Sequence, residues 1–501
     1  MKRAQRYVVV PNDNAFNEAM ETESRAFLRA MSARGRARRP ASFRRGTVLE
    51  SEIGNLKVVD RVDLEEATLV EMEPEQARQF ARHYPSLRIK REVRLEPMRA
   101  SPAYLPITSV RLPKRSVLKT LLVRCHDAAT GAPVANAEIV VLIDRRKRRG
   151  IDDVRTDAQG RMRTALPNGV RLIDAVIAAP LAGYWPAEVT GVAVAESGET
   201  EVEVRVVPLT SSFRDGLDRL VMPAAAQDGR GVRIAVVDTG TAPAEGLRIV
   251  HGLNTTDSEP PDAFGDNGSG HGSHVAGVIA RMAPAADLLV YRVFTEGARS
   301  AGEIAIAKAI RDAVDQGCDL INLSLGQDTE PLSITRETRR ARARGVAVVA
   351  AAGNDGMGPI SFPARSSHIA SVSACGIAGS WPKGAMNGSA AAPEPAPIGG
   401  VFFASFSNVG DEMDFIAPGV GIISFVGEKE RGVMDGTSMA SPAVTGLMAR
   451  LLSREPALLA ADRDQQRSDA ILKLAYVTAV PIGFGNEYEG SGLIERAEGL
   501  V

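Results

Sequence analysis

Cysteine is scarce: Cys125, Cys318 and Cys375 are the only three in 501 residues. They lie far apart, without metal-ligand spacing, in apolar strand-like stretches. A disulfide framework is thereby excluded, and buried reduced thiols are expected. Charge of one sign is also lacking. The 60 Lys and Arg residues against 61 Asp and Glu leave a net charge of −1, which gives no mandate for nucleic acid or an acidic membrane surface. No apolar run approaches a bilayer-spanning length, and the N-terminus MKRAQRYVVVPNDNAF lacks the apolar stretch of a signal peptide. The expectation is a cytoplasmic protein, or one exported without a recognisable signal peptide, with neither nucleic acid nor membrane among its partners. What remains is ordinary globular composition, 44% hydrophobic and 24% charged, in a chain long enough for two or three domains.

Three zones follow one another. Residues 1–114 alternate β-like and helical stretches: RYVVV and ATLVEM read as strands. NAFNEAMETESRAFLRAM and EPEQARQFARHYP carry apolar residues at helical spacing, the second with Pro74 suited to a first helical position. LRIKREVRL alternates apolar and charged residues as a single one-faced strand. Between the first helix and the second strand lies the basic loop SARGRARRPASFRRG, read as a solvated or protease-sensitive loop in preference to an electrostatic docking site. Residues 115–209 become evenly spaced short strands with Gly, Asp, Asn and Pro turns, the pattern of a small β-sandwich. Residues 210–501 turn to α/β alternation. Strands such as RIAVV, LLVYRVF, LINL and VAVVAAA run apolar throughout, as parallel strands covered on both faces do.

In such sheets chemistry collects at the carboxyl ends of the strands. Polar residues stand there: Asp238 after RIAVV, Ser324 after LINL, Asn354 after VAVVAAAG. His271 in GSGHGSHVAG and Ser438 in DGTSMASPAVTG open helical patterns. Taken singly, Asp238 could cap a turn, His271 or His274 could be a packed helix-start histidine, and Asn354 is what an Asn-Asp-Gly turn needs. Jointly those readings fail. Four polar residues follow four apolar elements in the order Asp, His, Asn, Ser, each flanked by glycine or small residues that admit close backbone approach.

That order and the stretches VVDTG, GHGSHVAG, INLSLG, AAGN, ASFSNVG, APGV and GTSMASPAV resemble the subtilisin-like serine peptidases, through essentially all of residues 212–501. The resemblance implies a serine endopeptidase acting through an acyl-enzyme on Ser438, with His271 as general base, Asp238 orienting the imidazole and Asn354 donating to the oxyanion. It implies a pocket wall at Ser324, Leu325 and Gly326. It also places an edge strand near Arg299, Ser300, Ala301 and Gly302, pairing with extended peptide. Ser361 falls where the family commonly has glycine at the pocket floor, so modest apolar side chains are expected there. His274 matches the second histidine of its motif, outside the triad. Pro442 is expected to be tolerated because the first helical N–H groups have no intrahelical partner. The Ala/Pro/Gly-rich segment 378–400 reads as a mobile surface loop. No cofactor is required for the chemistry. Calcium often stabilises the family, but GLNTTDSEPPDAFGDNGSG has no defined coordination spacing and no metal site is assigned.

The fold class implied is α/β: a subtilisin-like parallel-sheet catalytic domain at 210–501, preceded by a small α+β propeptide-like domain at 1–114 and a small β-sandwich at 115–209. The sandwich resembles carboxypeptidase-regulatory, transthyretin-like modules. The first unit resembles the inhibitory propeptides of the family, which lay a C-terminal tail, here RLEPMRASPAYLP, in the cleft. Cleavage near residue 100 would leave the sandwich on the mature enzyme; cleavage near 209–213 would remove both units; without cleavage the first unit is a permanent chaperone or switch. The partners expected are a protein or peptide substrate and a regulatory protein through residues 115–209. Two alternatives stand beside a general endopeptidase: a partner-triggered protease with one dedicated protein substrate, and an autoinhibited docking scaffold.

Overall fold

The computed structural model describes residues 4–12, 57–63, 66–100, 108–110, 119–210 and 212–497, with residues 25, 27–29 and 102. The basic loop at 32–46 lies outside the described residues, as does most of the helix expected over 14–31.

The strand Arg233–Asp238 anchors the largest sheet, which runs Ile249–Asn254, Asp287–Arg292, Arg233–Asp238, Leu320–Leu323, Ala347–Ala351, Ala370–Ile377 and antiparallel Val401–Phe403. Phe415–Pro418 also pairs with Ala370–Ile377. Its apolar residues serve both faces. Ile234 and Val236 join a core with Val275, Ile279 and Leu447 of the helices His271–Met282 and Thr437–Ser453. Ala235 and Val237 face the other way, onto Ile306, Ile310 and Ile334 of the helices Glu303–Asp315 and Leu332–Ala343. A strand buried on both faces has no polar positions until it ends, and this one ends at Asp238.

The N-terminal residues form a four-stranded antiparallel sheet in the order Lys57–Arg61, Thr68–Met72, Gln5–Pro11, Leu87–Arg91. On one face Phe80 of the helix Pro74–His83 packs with Phe27, Val9 and Val70. On the other, Val8, Val10 and Leu69 meet Ile304 and Leu332. Ion pairs ring this contact: Lys308 with Asp60 at 3.1 Å, Arg311 with Asp63 at 2.8 Å and Arg336 with Glu66 at 2.8 Å. The alternating stretch LRIKREVRL is not one strand. Leu87–Arg91 pairs with Gln5–Pro11, whereas Arg94–Pro97 leaves the sheet to pair with Ala301–Gly302 and Leu325–Gly326. The break falls at Val93, whose N–H is taken by the buried Glu303 carboxylate at 3.0 Å. Alternation alone cannot register a change of partner.

The second zone folds as two facing sheets, and Thr108–Ser109, expected in the first zone from the sequence, adds the last strand to one of them. One runs Arg161–Ala165, Lys119–Asp127, Gly198–Pro208, Tyr184–Trp185; the other Ala187–Ala193, Leu172–Ala179, Glu138–Asp144, Arg149–Arg155, Thr108–Ser109. Val123, Cys125, Ile139, Val141, Val176 and Val204 share the core between them. Val140, Leu142, Ala175 and Ile177 point out of it and join the large core of the C-terminal α/β unit. This unit is therefore fastened to the C-terminal α/β unit by a continuous apolar face. The three cysteines are unpaired and buried, and burial pushes the Cys125 thiol up to about 12.

Segment 378–400 departs from its reading as a mobile loop. Met386, Ala390 and Ala392 are buried in the core, Trp381 packs edge-on to Phe402, and Asn387 is fully buried. Small residues and prolines here serve tight packing, which composition cannot distinguish from looseness.

Candidate active site

His271 is the first residue of the helix His271–Met282, which the strand Ile249–Asn254 and the stretch after it separate from Asp238 in the chain. Its Nδ1 donates to Asp238 Oδ1 at 2.7 Å, and the same oxygen accepts the Thr239 N–H at 2.7 Å. The Thr239 hydroxyl in turn accepts the Gly272 N–H at 2.8 Å. A side chain at Gly272 would strike the Gly240 carbonyl, so glycine is what lets the helix start against this loop. Both His271 and Asp238 are buried. Three residues on, His274 donates from Nε2 to the Ile422 carbonyl at 2.9 Å, and burial lowers its pKa to about 3. It is a neutral packing histidine across the working range, facing away from the pair.

Ser438 is the second residue of the helix Thr437–Ser453, entered through Gly436. Its backbone N–H donates to the carbonyl of Met98 at 3.1 Å, and Asn354 Nδ2 donates to the same oxygen. Asn354 is held in that orientation: its Oδ1 accepts from the Thr437 N–H at 3.0 Å and the Thr437 hydroxyl at 3.1 Å. Two convergent donors at the start of a helix are suited to a developing oxyanion. Thr437 was missed by sequence reasoning, although it sits in GTSMASPAV immediately before the serine.

The Ser438 hydroxyl is not hydrogen-bonded to His271. It donates to the Ser324 carbonyl at 3.0 Å, and His271 Nε2 has no hydrogen-bond partner among the described residues. The Ser324 carbonyl is within reach because it also anchors the peptide in the cleft, accepting the Met98 N–H at 3.0 Å.

Pro442 needs a correction. The helix starts at Thr437, so Pro442 lies in its second turn and deletes a bond that would have gone to the Ser438 carbonyl. That carbonyl accepts the Ser324 hydroxyl instead, at 3.0 Å. The proline is tolerated by replacement of the lost donor, not by position.

The cleft is filled by the chain itself. Arg94–Pro97 is the middle strand of a three-stranded antiparallel sheet, paired with Ala301–Gly302 on one side and Leu325–Gly326 on the other. Arg94 Nε donates to the Ser300 hydroxyl at 2.9 Å, and Arg299 directly precedes that segment. Leu95 is fully buried with Tyr291, Ile306 and Leu325. The Met98 side chain ends against Gly326, where Ser361 Cβ also approaches. The Ser361 hydroxyl is turned to Asn408 Nδ2 at 3.3 Å. Beyond Met98, the Ala100 N–H donates to the Asp435 carbonyl at 2.8 Å.

Among the described residues no group of three or more His, Cys, Asp or Glu is placed to hold a metal. Within the oxygen-rich stretch at 252–270, Glu259 pairs with Arg292 at 3.0 Å and accepts from Asn254 at 2.9 Å. None of the described helices is long and apolar enough to cross a membrane.

Residues 229–489 match the Peptidase_S8 model, the subtilase family. The chain is 33% identical to the M-protease of Shouchella clausii over 269 residues, covering 51% of this chain and 64% of that protein. It is 33% identical to Subtilisin Savinase of Lederbergia lenta over 292 residues, 56% of this chain and 95% of that protein. Identity to the intracellular serine protease of Paenibacillus polymyxa is 32% over 301 residues, 56% and 84% of the two chains. A family match over more than half the chain agrees with the buried Asp–His pair, the helix-borne serine and the twin donors beside it: the protein belongs to the subtilase family and is a subtilisin-like serine endopeptidase.

Proposed function

We propose that the protein is an endopeptidase held shut by its own N-terminal unit, and that it opens by cutting the bond between Met98 and Arg99. In this reading Ser438 attacks a peptide carbonyl carbon while His271 Nε2 takes the hydroxyl proton. The tetrahedral oxyanion is held by the Ser438 N–H and Asn354 Nδ2. His271 then returns the proton to the departing amine, and water releases the acyl group by the same steps. Asp238, bonded to Nδ1, keeps the proton on that nitrogen and so leaves Nε2 free to act as base.

The observation that carries the proposal is the Met98 carbonyl. It receives the Ser438 N–H at 3.1 Å and the Asn354 amide, at the end of a strand paired on both sides. That is the arrangement of a scissile carbonyl in an extended substrate. The resting hydroxyl on the Ser324 carbonyl supports a latent state, since attack requires it to swing to His271 Nε2. The same strand suggests substrates with a medium, unbranched apolar side chain before the cut and an aliphatic one three positions earlier, as Met98 and Leu95 are. Cutting after Met98 would leave residues 108–208 on the mature enzyme, in keeping with their apolar attachment.

A fluorophosphonate probe tests the catalytic roles. Wild type, once the N-terminal unit has been released or clipped away by trypsin, is expected to take one adduct on Ser438. Ser438→Ala is expected to take none, and His271→Ala to label at least about 1,000-fold more slowly. An unlabelled wild type with an emptied cleft would overturn the proposal.

A further inference from the structure

We propose that Asn387, contributed by the segment 378–400, is a positioning residue for peptide-bond cleavage, acting through Asp435 on the segment that carries Ser438. The inference rests on the function proposed above.

Asp435 begins the DGTS run, two residues before Thr437, and its carbonyl receives the Ala100 N–H on the leaving-group side of the cleft. Its carboxylate is fixed from two directions. Asn387 Nδ2 donates to Oδ1 at 3.0 Å and to Oδ2 at 3.1 Å, and the Gly421 N–H donates to Oδ1 at 2.5 Å. The next residue, Gly436, donates its N–H to the Gly419 carbonyl at 2.8 Å, and Thr437 is locked to Asn354. The run that delivers the Ser438 N–H is therefore held at each successive residue, and Asn387 shares the hold at the first with the Gly421 N–H.

Asn387 is fully buried, and its segment is anchored away from the cleft. The Met386 N–H donates to the Pro186 carbonyl at 3.0 Å, and the Ser389 hydroxyl to Glu188 Oε1 at 2.7 Å, both on the preceding β unit. An amide between two carboxylate oxygens fixes both the tilt and the depth of Asp435, which a single hydrogen bond would not. A displacement of even about 1 Å at reacting groups costs on the order of 100-fold in rate.

The test uses the full-length protein after self-processing, with a Leu-Glu-Pro-Met peptide anilide as substrate. Asn387→Ala is expected to lower kcat about 30-fold with KM within about twofold of wild type. Asn387→Asp sets two carboxylates together and should lose at least as much. The reciprocal pair, Asn387→Asp with Asp435→Asn, restores one amide facing one carboxylate, and should recover kcat to within about fivefold of wild type. A merely structural residue would lower the number of titratable active sites and leave kcat per active site unchanged. If Asn387→Ala does not fold, the reciprocal pair decides by itself. An active wild type with Asn387→Ala at equal kcat, or a pair no better than Asn387→Asp alone, overturns this inference and leaves the proposed function standing. A wild type that hydrolyses nothing overturns both.

Discussion

Asn354→Ala is expected to lower kcat by about 100- to 1,000-fold while leaving KM within a few-fold, a size carried over from the equivalent donor of subtilisin. The geometry explains why the loss should fall on kcat. Asn354 is clamped by Thr437 through its carbonyl oxygen, so its amide points into the cleft whether or not charge has developed there. A donor fixed in advance gains most when the carbonyl oxygen becomes an oxyanion, and little when a neutral peptide binds. The loss corresponds to about 3–4 kcal/mol of transition-state stabilisation. Steady-state kinetics on a short peptide ester, with the Ser438 adduct used to count active sites, separates this from misfolding. Equal losses in binding and turnover would contradict the assignment. Thr437→Val, which keeps the shape but removes the hydroxyl from Asn354 Oδ1, should show a smaller loss of the same kind.

Gly436→Ala is expected to abolish self-processing for a different reason. Gly436 has φ of +150°, in a region that disfavours any residue with a Cβ. A methyl group there would also stand 2.5 Å from the Met98 carbonyl oxygen and 2.9 Å from the Ala100 nitrogen. Those atoms flank the proposed scissile bond. The protein should therefore fold, with a stability cost of about 1–3 kcal/mol from backbone strain, yet fail to seat a peptide across Ser438. The rate of cleavage after Met98 should fall at least about 100-fold. Following the intact chain over time on a gel, beside a thermal melt, distinguishes blocked seating from unfolding. Normal processing in Gly436→Ala would mean that the peptide crosses the site along another path.

Much of this site was legible in the sequence because buried parallel strands leave so few places for polar residues. Asp238, Asn354 and Ser324 each end an apolar run, and glycines mark where backbones must pass closely. The tail RLEPMRASPAYLP was expected in the cleft from a resemblance, and its part Arg94–Pro97 does pair there, but the residue facing Ser438 was not legible. Register between two separately folded units depends on where the strand breaks, and Val93 breaks it through a hydrogen bond to Glu303, which is 210 residues away. The role of segment 378–400 was hidden for a similar reason. Ala, Pro and Gly signal a loop equally well whether the loop is loose or packed, and only the fold shows Asn387 meeting Asp435. Pro442 carries the same lesson: its compensation comes from the Ser324 hydroxyl, 118 positions before it in the chain.

The central claim, that Met98–Arg99 lies in the active site as a bond to be cut, is tested most directly by intact mass. Wild type and Ser438→Ala, purified in parallel and followed over hours, should diverge. Wild type should resolve into two species ending at Met98 and beginning at Arg99, while Ser438→Ala stays whole. A wild type that remains uncut, or is cut near residues 209–213 with the Met98–Arg99 bond intact, would contradict it.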